Sequence, residues 1–221
     1  MNLEIRWLGR LPFEEALRLQ EELVAERAPK VSPQADGTPV AVPPDLLLLL
    51  EHEPVYTIGR TPDRSSLRDA ALLPHPVVQI NRGGQATYHG PGQLVGYPIL
   101  DLRPRGQDLH HYLRELEEAI IGGLALFGIE AGRRDGLTGV WVEDRKIASI
   151  GVGVRRWISM HGFALNVCGD MAPFQEITPC GIAGVEMTNM EREAGRPISV
   201  REAADAMAKT FSQRFTLEEP L

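Results

Sequence analysis

The chain has 221 residues, of which 43% are hydrophobic and 24% are charged, and its formal net charge is −7. This length and composition predict one compact domain over residues 1–221, and the acidic charge argues against non-specific binding to nucleic acid, which requires a surplus of basic side chains. No apolar run approaches the roughly 20 residues of a membrane helix, and the first ten residues do not form a signal peptide, so we predict a cytoplasmic protein with no membrane segment.

The first part of the chain predicts a strand, a helix and a loop. Residues 3–7 alternate as in a short strand, and apolar residues recur at helical spacing in a helix from about Pro12 to Arg27. The proline-rich segment from Pro29 to Pro44 is predicted as a loop. Two apolar runs then predict buried strands at Leu46–Leu50 and Val77–Ile80, and a third predicts another strand at Leu94–Leu100.

The second part predicts a long helix followed by antiparallel strands. The helix runs from Leu109 to Leu124 and is followed by Gly128, which is suited to ending it. A hairpin, a third strand and a final helix follow, at Val140–Val142 with Ile147–Val154, at Ile158–Val167 and at Val200–Phe215. This order predicts an α+β fold with a mostly antiparallel sheet flanked by helices.

A glycine-rich stretch that follows the predicted strand Val77–Ile80 predicts a binding loop. It runs from Asn81 to Gln93 and combines paired glycines with Arg82 and His89. Glycines let the backbone approach a ligand closely, and the basic side chains suit carbonyl or phosphate oxygen. The stretch has neither the lysine nor the spacing of a nucleotide-binding loop. The alternative is a tight structural turn with a hydrogen-bonded histidine.

Two cysteines, Cys168 and Cys180, are too few for a disulfide framework, and their spacing does not suggest a zinc site. Cys180 lies between Pro179 and Gly181, where a turn makes a thiol reachable, so it is a candidate nucleophile. Its alternative is a packed residue. Cys168 follows an alternating apolar segment and is expected to pack.

Lys146 is the candidate partner of that thiol, because the chain has only three lysines among its 23 basic residues. Lysine can exchange a proton with a thiol, whereas its neighbour Arg145 cannot. The alternative is a solvated residue beside a hairpin turn. Small residues after Lys146 leave room for a ligand.

Four blocks of sequence, in this order, resemble the lipoyl(octanoyl) transferase family over roughly residues 46–190. They are Arg82-Gly83-Gly84-Gln85-Ala86-Thr87-Tyr88-His89-Gly90-Pro91-Gly92-Gln93; Gly139-Val140-Trp141-Val142 with Lys146-Ile147-Ala148-Ser149-Ile150-Gly151; His161-Gly162-Phe163-Ala164-Leu165-Asn166-Val167; and Pro179-Cys180-Gly181-Ile182. The resemblance implies the catalytic fold of biotin and lipoate protein ligases. It also implies a catalytic Cys180 that carries an acyl thioester, and a catalytic Lys146 that favours the thiolate.

The same resemblance implies an acyl-substrate site, with His161 as a supporting residue. The implied substrate-binding residues are Arg82, Gly83, Gly84, Gln85, Ala86, Thr87, Tyr88, His89, Ser149, Ile150, Gly151, Gly162, Phe163 and Ala164. The expected donor is octanoyl-acyl carrier protein, and the expected acceptors are lipoyl domains of 2-oxoacid dehydrogenases and the glycine cleavage H protein. No cofactor and no metal are expected.

Two rival functions remain open from the sequence. An ATP-dependent lipoate or biotin protein ligase has a similar glycine-rich loop and a lysine where Lys146 stands, but it needs no thiol. A non-catalytic domain that binds lipoylated or acyl-carrier proteins would leave Cys180 as a packed residue.

Overall fold

A computed structural model describes residues 3–28, 43–182 and 184–216. The predicted loop from Pro29 to Pro44 lies outside the described residues, apart from its last two. The strands are β1 (Leu3–Leu11), β2 (Asp45–His52), β3 (Val55–Ile58), β4 (Val77–Gln79), β5 (Thr87–His89), β6 (Gln93–Ile99), β7 (Gly132–Arg134), β8 (Leu137–Val142), β9 (Arg145–Arg155), β10 (Ile158–Asn166) and β11 (Glu186–Met187). The α-helices are α1 (Phe13–Arg27), α2 (Leu109–Ala125), α3 (Met190–Ala194) and α4 (Val200–Phe215).

The main sheet has eight strands and is mostly antiparallel. Its order is β1-β2-β6-β10-β9-β8-β7, and β11 pairs with β9. The pairs β1–β2 and β9–β11 are parallel, and the others are antiparallel. A second sheet of three strands, in the order β4-β3-β5, includes Thr87–His89 from the middle of the glycine-rich stretch.

Helices cover both faces of the main sheet. Leu47 and Leu49 of β2 belong to the apolar cluster beneath α2 and α4. Leu46, Leu48 and Leu50 belong to the cluster beneath α1. Because side chains alternate along a strand, a strand buried on both faces needs a continuous apolar run, which explains the five consecutive leucines.

The helix ends follow local signals in the sequence. Asp108 accepts hydrogen bonds from the backbone N–H groups of His110 and His111 and thereby caps α2. Ser199 and Glu202 form a reciprocal capping box at the start of α4. No helix within the described ranges is long and apolar enough to span a membrane.

The predicted α+β class with a mostly antiparallel sheet is confirmed. The sequence missed β3, β5, β7, β11 and α3, each of which is five residues or shorter. It also placed Val77–Ile80 among buried strands, and this is wrong, because Gln79 is exposed and β4 lies at the edge of the small sheet. Short strands carry too few residues for an alternating pattern to be distinguished from a loop.

Candidate active site

A cavity of about 200 Å³ opens where β9 and β10 approach the glycine-rich loop. Cys180 and Lys146 lie on its wall together with residues from α1, β5, β6 and the start of β8. Elements that are distant in the sequence therefore converge on one pocket.

Cys180 lies in a 3₁₀ turn, Pro179–Gly181, and has a left-handed backbone with φ of 57°. Its backbone N–H donates to Ala86 O at 2.9 Å, and the N–H of Thr178 donates to Ser66 O at 2.7 Å. These bonds fix the turn against the glycine-rich loop and the segment before it. A non-glycine residue in this conformation costs about 1–2 kcal/mol, and such strain is concentrated at functional sites.

Lys146 is buried, with 1% of its surface exposed. Its Nζ donates hydrogen bonds to Cys180 Sγ and to Thr138 O, each at 3.1 Å, and lies 5.2 Å from the centre of the Trp141 ring. Lys146 is therefore not the solvated hairpin residue that the sequence left open. A buried ammonium needs such partners, and a thiolate would supply the missing opposite charge.

Space for the lysine side chain comes from Gly139 on the neighbouring strand. A Cβ atom there would lie 2.7 Å from Lys146 Cε and 2.7 Å from Ala148 O. The backbone N–H of Gly139 donates to the buried carboxylate of Glu117 at 3.0 Å. Glu117 also forms ion pairs with Arg114 and Arg133, so helix α2 braces the strand beside the lysine.

Several backbone donors near the sulfur are already engaged. The N–H groups of Cys180 and Gly181 donate to Ala86 O and Thr178 O, and that of Gly83 donates to Val152 O. The Ser149 hydroxyl lies 3.7 Å from Cys180 Sγ. Ser149 and Lys146 are therefore the side chains with donor atoms next to the sulfur.

Arg82 is a buried cation on the cavity wall. Its Nη2 donates to the carbonyl oxygen of Thr57 at 3.1 Å and to the Thr57 hydroxyl at 3.0 Å. Burial lowers the pKa of Arg82, an effect opposed by the nearby Cys180 sulfur. The guanidinium adds positive potential on the sulfur side of the cavity.

Two histidines, His89 and His161, line the cavity, and a third, His52, packs against His89. Burial lowers the pKa of His52 and His161 to about 4 and that of His89 to about 3. All three are therefore neutral at pH 7. His89 is hydrogen-bonded to Gln93 at 2.8 Å and to Thr57 at 3.2 Å, whereas neither ring nitrogen of His161 has a partner among the described residues.

The structure brings most of the residues named from the sequence to this one cavity. Besides Cys180 and Lys146, the wall includes Arg82, Gly84, Gln85, Thr87, His89, Ser149, Ile150, Gly151, His161, Gly162, Phe163 and Ala164. Gly83, Ala86 and Tyr88 do not line it. Tyr88 alternates with Thr87 and His89 along β5 and points instead to Tyr56 and Phe174. Gly83 and Ala86 contribute backbone hydrogen bonds instead: the Gly83 N–H donates to Val152 O, and Ala86 O accepts from the Cys180 N–H.

Sequence reasoning missed several wall residues. These are Phe13, Ile80, Val95, Tyr97, Gly136, Leu137, Thr138 and Ile182. The apolar periodicity of α1 and β6 indicates only that Phe13 and Tyr97 are buried, and carries no signal for which cavity they border.

Cys168 differs from Cys180 in its surroundings. It is half-buried and packs against the apolar cluster beneath α2 and α4. Burial raises its pKa, and the nearby carboxylates of Glu191 and Glu51 add to the shift. Raising a thiol's pKa lowers its reactivity, whereas Cys180 has the Lys146 amine beside its sulfur.

Comparisons with known proteins decide the family. The lipoyl protein ligase A/B catalytic domain family matches residues 12–212. An octanoyltransferase of Geobacter sulfurreducens is 54% identical over 93% of this chain and 81% of its own. One from Syntrophotalea carbinolica is 50% identical over 99% of this chain and 97% of its own. The chain belongs to the octanoyltransferase family. It is therefore an acyltransferase, as the four sequence blocks predict.

Solved structures confirm the predicted ligase-like fold. A lipoate protein ligase from Thermoplasma acidophilum superposes with a TM-score of 0.71 at 18% identity, covering 97% of this chain and 84% of its own. A biotin protein ligase from Aquifex aeolicus gives 0.53 at 15% identity, covering 97% and 69%. These identities support the shared fold alone.

No group of three or more His, Cys, Asp or Glu side chains within the described ranges is arranged to hold a metal ion. The groups beside the Cys180 sulfur are the Lys146 amine and the Ser149 hydroxyl, and the Arg82 guanidinium lies on the same cavity wall. This set is suited to acyl exchange between thiols and amines.

Proposed function

We propose that the chain transfers an octanoyl group from octanoyl-acyl carrier protein to Cys180, and from Cys180 to the lysine amine of a lipoyl domain, in lipoate biosynthesis. The observation that carries this proposal is the 3.1 Å contact between Lys146 Nζ and Cys180 Sγ at the wall of one cavity. The names of its relatives support the octanoyl group. We expect the enzyme to act in the cytoplasm.

In the first half-reaction, the Cys180 thiolate attacks the thioester carbonyl carbon. A bond forms between Sγ and that carbon, and the bond from the carbon to the carrier's sulfur breaks. The Lys146 ammonium gives its proton to the departing carrier thiolate, which leaves as a thiol. Ser149 Oγ, 3.7 Å from Sγ, is positioned to donate to the transient oxyanion.

In the second half-reaction, the neutral acceptor amine attacks the octanoyl carbon on Cys180. The amide C–N bond forms, the C–Sγ bond breaks, and Lys146 takes the surplus proton from the amine. The ion pair of Lys146 and Cys180 is thereby restored. An arginine could not perform this exchange, because it does not release its proton in proteins.

The cavity supplies binding energy and excludes water. Phe163, Ile150 and Val95 give its wall apolar surface. Burying seven carbons of the octanoyl tail contributes at most about 5–6 kcal/mol, at about 0.8 kcal/mol each. The same burial shields the thioester from hydrolysis.

The test is an intact-mass measurement after the purified chain is mixed with octanoyl-acyl carrier protein in the absence of ATP. We expect one added octanoyl group on the wild type and on Cys168→Ala, and none on Cys180→Ala. A lipoyl domain added afterwards should receive the group and discharge the enzyme. An adduct that persists in Cys180→Ala would refute the role of this thiol.

The two rival functions predict different results in this experiment. An ATP-dependent ligase would modify the lipoyl domain only with ATP and free octanoic acid, and would tolerate Cys180→Ala. A binding domain would form a complex with its partner but no covalent adduct under either condition.

A further inference from the structure

We propose that Phe13 on α1 and His161 on β10 form the end wall of the acyl slot and set the length of the acyl chain that the enzyme accepts. This inference rests on the proposed function, and it deepens it by naming the residues that select the substrate. Both side chains border the cavity that contains Cys180. Sequence reasoning assigned no role to Phe13.

Phe13 closes the cavity on the α1 side. It is the first residue of α1 and is 3% exposed. Its ring centre lies 5.1 Å from that of His52 and 6.2 Å from that of His89, and it packs in a small apolar cluster with Val55 and Ile80. A rigid ring held on several sides is suited to stopping an alkyl chain.

A backbone kink turns His161 into the same wall. Phe163 and Leu165 on β10 face the cluster beneath α2 and α4, and strand alternation would place His161 on that face. His161 instead has φ of 56°, and its ring lies edge-on against Tyr97, which belongs to the cluster on the α1 face.

Helix α1 also holds this kink. The buried side chain of Gln20 accepts a hydrogen bond from the His161 backbone N–H at 2.8 Å. Gln20 is seven residues after Phe13, which places the two on one face of the helix. Helix α1 therefore contributes Phe13 to the end wall and, through Gln20, fixes the position of His161.

The register between β9 and β10 gives the depth of the slot. Ser149, beside the Cys180 sulfur, pairs with Ala164, and Val152 pairs with His161. Three residues along a strand advance about 10 Å. An extended alkyl chain advances roughly 1.25 Å per C–C bond, so eight carbons span roughly 9 Å. An octanoyl group on Cys180 would therefore end at this wall.

The chemistry of the wall opposes longer chains. His161 is 2% exposed, and neither its Nδ1 nor its Nε2 has a hydrogen-bond partner among the described residues. A methylene pressed onto these nitrogens would keep them without a partner. Excluding water from a buried polar group that has no protein partner costs about five-fold to 150-fold in affinity.

The experiment measures kcat/KM for octanoyl, decanoyl and dodecanoyl groups loaded on one acyl carrier protein. In Phe13→Ala we expect the decanoyl-to-octanoyl ratio to rise about ten-fold, with an upper limit of about 15-fold for two more buried methylenes. Phe13→Leu should give a smaller rise. His161→Asn, chosen because asparagine tolerates positive φ, should also shift the ratio towards decanoyl.

The matched control is Phe215→Leu, which shortens a buried aromatic side chain that packs against Tyr112 and Phe211 and does not line the cavity. Its ratio should equal that of the wild type. Calorimetric binding of octanoic and decanoic acids to each variant reports slot length without requiring turnover. An unchanged ratio and unchanged relative affinities in folded Phe13→Leu and Phe13→Ala would overturn the inference. Absence of any acyl adduct on the wild type would instead contradict the proposed function.

Discussion

Gly139→Ala tests whether the position of Lys146, rather than its presence, controls the reactivity of Cys180. The new Cβ would lie 2.7 Å from both Lys146 Cε and Ala148 O, distances too short for either contact. The lysine side chain has to move, and the contact with the backbone oxygen also forces β8 to shift away from β9. We expect Nζ to leave its position 3.1 Å from Sγ.

The size of the effect follows from the contact that is lost. A hydrogen bond that involves a charged group contributes about 1.5–3 kcal/mol, which corresponds to a fall of roughly 10- to 150-fold in the rate of acylation. The rate of alkylation of Cys180 by iodoacetamide at fixed pH should fall with it, because the thiolate is the reacting form. Both rates are measured in a Cys168→Ala background, so that Cys180 is the only thiol that can be alkylated or acylated.

The control must separate this clash from the strain of alanine at a glycine position. Gly139 has φ of 130°, and Gly128, which follows α2, has φ of 73° and no atom within 4 Å of the point where a Cβ would lie. Gly128→Ala should lose about 1–2 kcal/mol of stability and keep both rates. If folded Gly139→Ala alkylates and acylates at the wild-type rate, the contact between Nζ and Sγ does not set the reactivity of the thiol.

Three further outcomes are expected. Lys146→Arg keeps the charge but not the proton exchange that both half-reactions use. Single-turnover assays should therefore show acyl-enzyme formation and discharge to the lipoyl domain each slowing at least about ten-fold. Near-normal rates of both steps would show that Lys146 has a purely electrostatic role. The pKa values of the three buried histidines are lowered in the folded state, so below about pH 6.5 the unfolded state binds more protons than the folded state does. The free energy of unfolding should therefore fall as the pH drops from about 6.5 towards 5, by up to about 1.4 kcal/mol per histidine per pH unit. Urea titrations measure this slope, which should be shallower in His161→Asn; a flat profile would show that the histidines are not buried neutral. Glu117→Ala leaves the Gly139 N–H without its acceptor. The free energy of unfolding, measured by thermal melts, should fall by about 1–3 kcal/mol, and acylation should slow as well. An effect on stability alone would mean that α2 does not brace the lysine.

Cys180 and Lys146, which meet in one cavity, could be singled out from the sequence because each departs from its local background. Cys180 lies between a proline and a glycine, and Lys146 is one of three lysines in an arginine-rich chain. The five leucines of β2 likewise predicted a strand that is buried on both faces. In each case the information lies within a few neighbouring residues.

The end of the cavity was not predictable, because it depends on contacts between distant segments. The kink at His161 interrupts no apolar pattern, and its hydrogen bond to Gln20 spans 141 residues. Strand β5 escaped prediction because its three residues lie inside the glycine-rich stretch that otherwise predicts a loop. Side chains alternate along β5, and this alternation nevertheless places Thr87 and His89 on the cavity wall and Tyr88 away from it.

The distance between the sulfur and the amine is set by two separate structural supports. Lys146 is fixed by the main sheet, through its place on β9 and the carbonyl oxygen of Thr138. Cys180 is fixed by the stretch that leads into β5, through the carbonyl oxygen of Ala86, and a Cβ on the adjacent Gly181 would lie 2.8 Å from Gln85 Cγ. A change that shifts the glycine-rich stretch relative to β9 therefore alters the contact between Nζ and Sγ without touching either residue. This explains how backbone positions such as Gly83 and Ala86, which do not line the cavity, can still control its chemistry.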